Sequence, residues 1–288
     1  MCKRSQHSED TLTKLLAKYY IGTVDRSTSP RNNEQMPVLE TDDLVGLRPK
    51  QWVHFKLQHR EMISADTVRL SFALPSPAHR LGLPTGWHMF MRYRDESEGG
   101  SGVFVMRAYT PTSLDSDHGN FELVVKIYHA NVHPSFPEGG KMSQHLGSLA
   151  VGDSIECKGP VGHFEYVGGG KCIWDFHHLH ASKLGFICGG TGITPAFQII
   201  KFALKNDPDG ACRFALLFAS RSEEDILLRK ELDALAVAHP DRLHLHYTID
   251  QCPDPHRWAG SVGFVNKDMV VSLALILDAL DPWCVGEC

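Results

Sequence analysis

The chain has 288 residues, of which 42% are hydrophobic and 22% charged, and a formal net charge of −5. This length accommodates two domains, each with a hydrophobic core of its own. The negative charge excludes a typical nucleic-acid binder, because such a protein needs a basic face to bind phosphates.

The N-terminal segment has the pattern of one helix followed by a linker. Apolar residues at helical spacing predict a helix from Asp10 to Tyr20, and residues 27–48 contain prolines and show no periodicity. Polar residues follow Lys3 and Arg4, so the sequence shows no secretory signal. The best membrane candidate, Val270–Leu280, is shorter than the roughly 20 residues that a membrane helix needs. We therefore predict a cytoplasmic chain without membrane insertion.

Alternating apolar residues predict short antiparallel strands in the middle of the chain. The alternation begins after Trp52 and is interrupted by turns rich in Gly, Pro and Asp. Six such strands are typical of a closed antiparallel barrel, which we assign to residues 51–168. The predicted strands lie near residues 53–57, 68–74, 103–105, 121–127, 154–157 and 163–166.

After Gly168–Gly170 the pattern changes to an alternation of strands and helices. Apolar runs at 184–188 and 214–219 and a third strand at 243–249 predict a parallel sheet that is buried on both faces. The connecting helices are expected at about 194–205 and 223–238. The predicted division is an N-terminal helix and linker (1–50), the barrel (51–168) and a nucleotide-binding domain (175–288).

Two segments of the barrel half have the residues needed to bind a ring and a diphosphate. We call Arg107–Ser113 the arginine motif and Gly139–Ser143 the diglycine helix start. Arg107 and Tyr109 share one face of a strand, because alternate side chains point the same way. A helix that begins with glycines offers unpaired N–H groups and the positive end of its dipole to phosphate. An ordinary packed helix after a loop is the alternative.

Gly189–Gly192, the glycine loop, lies between a predicted buried strand and a predicted helix. Its spacing differs from Gly-x-Gly-x-x-Gly, the usual dinucleotide-binding pattern. The physical requirement is the same, because without a Cβ the backbone can approach a bulky ligand closely. The carboxyl end of a parallel strand is where open α/β sheets bind ligands. A purely structural turn is the alternative.

These motifs occur in the order and at the intervals of a known family. The arginine motif, the diglycine helix start, Lys158–Phe164 and Gly189–Pro195 resemble the ferredoxin–NADP reductase superfamily. Within it, the chain is most similar to NADH–cytochrome b5 reductases and to the FAD/NADH domain of eukaryotic assimilatory nitrate reductases. The resemblance extends from about Trp52 to about Asn266. It implies FAD and NADH as cofactors and a haem protein or haem domain of the cytochrome b5 type as electron acceptor.

The resemblance also implies roles for individual residues. Tyr109, Thr110 and Thr191 are expected at the reacting rings and are our candidate catalytic residues. The acidic residue Asp225 is associated with preference for NADH over NADPH, although a charge at a helix N-terminus is its alternative role. The remaining expected cofactor-binding residues are Arg107, Ser113, Lys126, Gly140, Lys141, Met142, Ser143, Gly190, Gly192, Thr194 and Pro195. For Lys126, a solvated lysine on an edge strand is the alternative.

Histidines and cysteines carry less information. His177, His178 and His180 cluster, but no cysteine or carboxylate stands at a metal-ligand spacing from them, so we expect no metal site. The eight cysteines include no Cys-x-x-Cys pair, which favours reduced thiols over a disulfide framework.

The two ends of the chain leave alternatives open. Leu15–Gly22 resembles the tail of a cytochrome b5-type haem domain, which would make this chain a piece of a longer enzyme. The family motif Cys-Gly-Pro-Pro does not occur in Ala279–Cys288. Two functions therefore remain: an NADH-dependent flavoprotein reductase, or a flavin-binding module with little or no turnover.

Overall fold

The computed structural model describes residues 43–96, 102–132, 134–207, 210, 212–252, 254 and 256–279. From Asp43 onward, the described residues form one compact unit. The helix predicted at Asp10–Tyr20, the segment Leu15–Gly22 and residues 280–288 lie outside the described residues. The division of the chain at 1–50, 51–168 and 175–288 stays a prediction.

The first half of the described chain is a six-stranded antiparallel sheet, as predicted. Its strands follow the order β4-β3-β6-β1-β2-β5. Side chains from all these strands except β4 enter one buried core, and Val105 and Tyr109 of β4 pack against it. Helix α1 (Lys141–Ser148) connects β5 to β6. The strands are β1 (Val53–Ser64), β2 (Thr67–Ala73), β3 (His88–Asp95), β4 (Val103–Tyr109), β5 (Asn120–Lys126) and β6 (Ser154–Val161).

The membership of this sheet differs from the prediction at two places. Strand β3 was not predicted, and the strand predicted at His163–Tyr166 does not belong to the six-stranded sheet. That segment forms β7 (Phe164–Gly168), which pairs with β8 (Lys171–Trp174) and then β9 (His177–His180) in a separate three-stranded sheet. The reason is the burial of Tyr166, whose ring packs against Phe202 and Phe214. These residues belong to a second core, which the later half of the chain forms.

The second half is a parallel four-stranded sheet in the order β10-β11-β12-β13, which confirms the predicted strand–helix alternation. A 3₁₀ turn at Gly190–Gly192 follows β10 and leads directly into helix α2. The strands are β10 (Lys183–Gly189), β11 (Arg213–Ser220), β12 (Leu243–Ile249) and β13 (Ser261–Val262); the helices are α2 (Ile193–Asn206), α3 (Arg229–Ala238) and α4 (Lys267–Ala279).

Two details of this half were predicted wrongly. Helix α3 begins at Arg229 and not near residue 223, because Leu228 adopts a left-handed conformation with φ of 57° and interrupts a continuous helix. The sheet is also not buried on both faces throughout. Strand β11 is buried on both faces, but Ile187 of β10 is 53% exposed, since β10 stands at the end of the strand order. Among the described residues, no helix is both long and apolar enough to cross a membrane.

Candidate functional site

The arginine motif begins on β4 and continues into the loop that follows. Arg107 is exposed and its Nη1 donates to the carbonyl of Met106 at 2.7 Å. Tyr109 is half-buried, and this burial raises its pKa to about 12, although the charge of Arg107 acts in the opposite direction. The phenol is therefore neutral at physiological pH. The strand end presents a neutral aromatic ring close to an accessible guanidinium.

The hydroxyls of the arginine motif are buried and engaged with backbone. Thr110 Oγ1 donates to the carbonyl of Trp87 at 3.5 Å. Ser113 Oγ accepts the N–H of Glu122 at 2.9 Å, which joins the end of the motif to β5. Both side chains are less than a tenth exposed. Cofactor contacts by Thr110 and Ser113 stay predictions.

The diglycine helix start lies where α1 begins. Gly140 is the N-cap of α1 and makes no side-chain capping bond, so no capping side chain accepts the first N–H groups of this helix. Ser143 Oγ accepts the N–H of Tyr128 at 3.1 Å and donates to the carbonyl of Gly140 at 2.9 Å. Met142 is 2% exposed and packs into the first core, so the part of this residue suited to a phosphate is its backbone N–H. Lys141 Nζ lies 3.3 Å from Asp95 Oδ2.

The glycine loop lies at the carboxyl end of β10, as predicted. A Cβ built on Gly189, Gly190 or Gly192 would meet no atom within 4 Å. Packing within the protein therefore does not explain these glycines. The φ of +50° at Gly190 is a conformation that favours glycine. Nucleotide binding at this loop stays a prediction.

Thr191, Thr194 and Pro195 lie in the glycine loop or in the helix turn directly after it. Thr191 lies at the tip of the glycine loop and is exposed. Thr194 and Pro195 lie in the first turn of α2, where a proline is tolerated because that turn has unpaired N–H groups. Their predicted roles at the nicotinamide and the helix entry stay predictions.

Tyr128 is a candidate functional residue that the sequence analysis missed. Its hydroxyl lies 3.4 Å from Thr191 Oγ1, and its N–H donates to Ser143 Oγ. Its side chain is 47% exposed. One residue therefore contacts both the glycine loop and the diglycine helix start. The signal available in the sequence was its position two residues after Lys126, on the same side of the extended chain.

Lys126 and Asp225, both predicted at the nucleotide, form an ion pair that joins the two halves. Lys126 Nζ also lies 2.9 Å from Asp66, and Ser222 donates to Asp225 at 3.2 Å. Burial alone would lower the pKa of Lys126, but hydrogen bonds and charges from Asp225 and Asp66 outweigh it and raise that pKa. Lys126 is thus a paired cation and not a solvated lysine.

The alternative role of Asp225, as a charge at a helix N-terminus, does not match its position. Asp225 lies in the turn before α3, and the acidic residue in the first turn of that helix is Glu231. The carboxylate of Asp225 points instead to Lys126 and Ser222. Its proposed effect on cofactor choice stays a prediction.

The histidine cluster lies on β9, and one free thiol, Cys188, directly precedes the glycine loop. His177, His178 and His180 are exposed on β9. Within the described ranges, no group of three His, Cys, Asp or Glu residues could hold a metal ion. The described cysteines that are free thiols are Cys157, Cys172, Cys188, Cys212 and Cys252.

The fold and the site together define a class of oxidoreductases that pair an FAD-binding antiparallel sheet with an NAD-binding parallel sheet. Residues 54–166 match the family model of the oxidoreductase FAD-binding domain. Residues 186–281 match that of the oxidoreductase NAD-binding domain. With 46% identity to rat NADH–cytochrome b5 reductase 3 over 226 residues, 75% of this chain and 71% of that protein, the chain belongs to the NADH–cytochrome b5 reductase family.

Nitrate reductases are also relatives. The chain is 45% identical to the NADH nitrate reductase of Volvox carteri over 265 residues, which are 88% of this chain and 30% of that enzyme. The chain thus spans less than a third of that relative. The crystal structure of the cytochrome b5 reductase domain of Ulva prolifera nitrate reductase superimposes with a TM-score of 0.75 at 45% identity, over 80% of this chain and 84% of that one.

The ion pairs of Lys126 generate a first prediction. Lys126→Met leaves two partly buried carboxylates without their cation, so it should lower the free energy of unfolding by about 1–3 kcal/mol at neutral pH. Lys205→Met, which removes a more exposed contact with Asp117, is the control and should cost no more than about 0.5 kcal/mol. Urea unfolding measures both.

The same variant has a defined pH dependence. Burial would raise the pKa of Asp66, but Lys126 outweighs it and holds that pKa below 3.8. The stabilisation from this carboxylate is therefore complete above its ordinary pKa and is lost as the pH falls through the lower, folded value. The stability difference between wild type and Lys126→Met should shrink below about pH 4. A difference that grows on acidification would contradict this assignment.

The glycine loop generates a second prediction. Gly192 has φ of −69° and ψ of 0°, and a Cβ there meets no protein atom within 4 Å. Gly192→Ala should therefore leave stability unchanged or raise it by up to about 1 kcal/mol. Binding of NAD⁺ to the FAD-loaded protein should weaken at least about tenfold, or 1.4 kcal/mol. Equal nucleotide affinity in the two proteins would mean that no ligand approaches this residue.

Proposed function

We propose that this chain passes electrons from NADH through FAD to a haem acceptor of the cytochrome b5 type. The observation that carries the proposal is the contact between Tyr128 and Thr191, because it brings the glycine loop to the diglycine helix start. FAD, when bound, supplies the conversion between two-electron and one-electron transfer. The net reaction is NADH + 2 Fe³⁺ → NAD⁺ + H⁺ + 2 Fe²⁺ at two haems.

The work of the chain is to bind and orient the two cofactors. The guanidinium of Arg107 and the first N–H groups of α1 supply positive groups for a diphosphate. Tyr109 offers a half-buried aromatic face whose phenol is neutral at physiological pH. The glycine loop lets a nicotinamide approach its backbone, and the hydroxyl of Thr191 lies 3.4 Å from that of Tyr128 in the other half.

The haem partner is inferred from the relatives. One is named as an NADH–cytochrome b5 reductase, and the similar crystal structure is a cytochrome b5 reductase domain. Nitrate as the final acceptor would require a molybdenum domain, which nothing in this sequence resembles, so the proposal ends at the haem. A cytoplasmic location also stays a prediction.

Reconstitution tests the proposed function. The purified chain should bind FAD and turn yellow, lose its flavin absorbance when NADH is added without oxygen, and then reduce cytochrome b5. Arg107→Gln should weaken FAD binding at least about tenfold, since charge-assisted hydrogen bonds are worth about 1.5–3 kcal/mol. Arg257→Gln, at an exposed arginine of the second half, is the control and should bind FAD normally.

Two results would contradict the proposal in different ways. A colourless chain that refuses added FAD would remove both the flavin site and the reaction. A yellow chain whose absorbance persists with NADH would leave the alternative, a flavin-binding module without turnover.

The preference for NADH over NADPH has a test of its own. A carboxylate near the adenosine ribose repels a 2′-phosphate, so Asp225→Ser should narrow the NADH-to-NADPH ratio of kcat/KM. Asp66→Asn is the matched control, because Asp66 also pairs with Lys126 but belongs to the other half. An unchanged ratio in Asp225→Ser would remove the argument. An equal change in both variants would assign the effect to Lys126.

A further inference from the structure

Helix α2 directs a row of polar side chains toward the six-stranded half. Gln198, Lys201 and Lys205 recur at intervals of three and four residues, which places them along one helix face. Lys201 donates to the carbonyl of Thr112 at 2.9 Å, and Lys205 lies 3.4 Å from Asp117. Gln198 is the buried member of the row, with an exposure of 2%.

The side-chain amide of Gln198 bonds two separate backbone segments. Its Oε1 accepts the N–H of Gly86 at 2.8 Å, and its Nε2 donates to the carbonyl of Pro111 at 3.2 Å. Buried polar groups are costly when they are left without partners. Removing this amide would therefore weaken both contacts and loosen the two loops from α2.

Both of these backbone segments lead to Thr110. Pro111 is the next residue in the chain. Gly86 precedes Trp87, whose carbonyl accepts the hydroxyl of Thr110 at 3.5 Å. One amide on α2 thus bonds both the residue that follows Thr110 and the loop whose carbonyl accepts the Thr110 hydroxyl. Thr110 is the threonine that we expect at the flavin ring.

The conformation of Gly86 favours glycine. Its φ is +97°, and a Cβ would lie 3.0 Å from the carbonyl oxygen of Phe164 on β7 and at the ordinary contact distance of 3.4 Å from Ile199 Cδ1 on α2. A side chain here would strain the turn and crowd β7. Glycine therefore allows the turn in which the N–H of Gly86 reaches Gln198.

The other end of α2 leads to the glycine loop. The helix begins at Ile193, directly after Gly190–Gly192. Gln198 is five residues into the helix, or about 7.5 Å along its axis at 1.5 Å per residue. A helix moves as a rigid element over this distance, so a shift at Gln198 displaces Thr191 relative to Thr110.

We propose that Gln198 is a positioning residue for hydride transfer, acting through α2 and the arginine motif. This inference rests on the proposed function. With both cofactors bound, NADH would lose a hydride, two electrons with one proton, from C4 and become NAD⁺, and the flavin would be its acceptor. Gln198 sets the separation of donor and acceptor without touching either. A misplacement of about 1 Å can cost about a hundredfold in rate.

The test compares Gln198→Met, which keeps the chain length but loses both hydrogen bonds, with Lys205→Met on the same helix face. Without cofactors, hydrogen exchange at the amide of Gly86 should quicken in Gln198→Met and not in the control. The dissociation constants for FAD and NAD⁺ should stay within about threefold of wild type. Flavin bleaching by NADH should slow at least about tenfold. The charge-transfer absorbance of NAD⁺ with reduced flavin should weaken.

Each outcome decides the inference. A Gln198→Met protein that binds FAD and is bleached less than about tenfold more slowly than the wild type would overturn it and leave the proposed function intact. If that variant does not fold, Gln198→Glu replaces it and the bleaching rate alone decides, because an ionised carboxylate still accepts from Gly86 but cannot donate to Pro111. A yellow wild type that NADH does not bleach would refute the proposed function and the positioning role together.

Discussion

The packing of α2 against the loops of the six-stranded sheet is the constraint on which the site depends. The glycine loop is continuous with this helix, so the position of α2 determines the position of the loop relative to the arginine motif. Buried residues such as Ile193, Ile199 and Ile200 pack the helix into the core of the second half. Apolar burial is strong but non-directional, and the directional contacts with the loops come from hydrogen bonds of Gln198 and Lys201.

Charged groups make further contacts between the two halves. Lys126 pairs with Asp225, and Arg69 of β2 pairs with Glu231 of α3. Salt weakens such partly buried ion pairs less than exposed ones, and a buried neutral amide is largely insensitive to ionic strength. The neutral contact of Gln198 therefore holds the two halves in place independently of salt, and the ion pairs add to it.

The sequence predicted most of the fold, and the failures have physical causes. Period-two alternation found five strands of the six-stranded sheet. It missed β3, where Met89 and Met91 are the buried residues between histidine, arginine and aromatic side chains. Alternation also identified a strand near Tyr166 but assigned it to the wrong sheet, because periodicity shows which face is apolar and not which strand is the neighbour.

The candidate site was predicted from its motifs and not from its contacts. The arginine motif, the diglycine helix start and the glycine loop are local patterns, so they could be read directly. The contacts between Lys126 and Asp225, 99 residues apart, and between Gln198 and Gly86, 112 residues apart, depend on the tertiary fold. Tyr128 was missed for the same reason, since its value lies in reaching Thr191 from the other half.

The central claim is that the chain brings the nicotinamide and the flavin into direct contact. A single-turnover experiment with FAD-loaded protein and NADH deuterated at C4 tests it most directly. We expect flavin bleaching to be slower with the deuterated nucleotide and the deuterium to leave NADH, because hydride passes between the two rings. Bleaching at the same rate with both nucleotides, under conditions where binding is saturated and the chemical step is observed, would contradict the account.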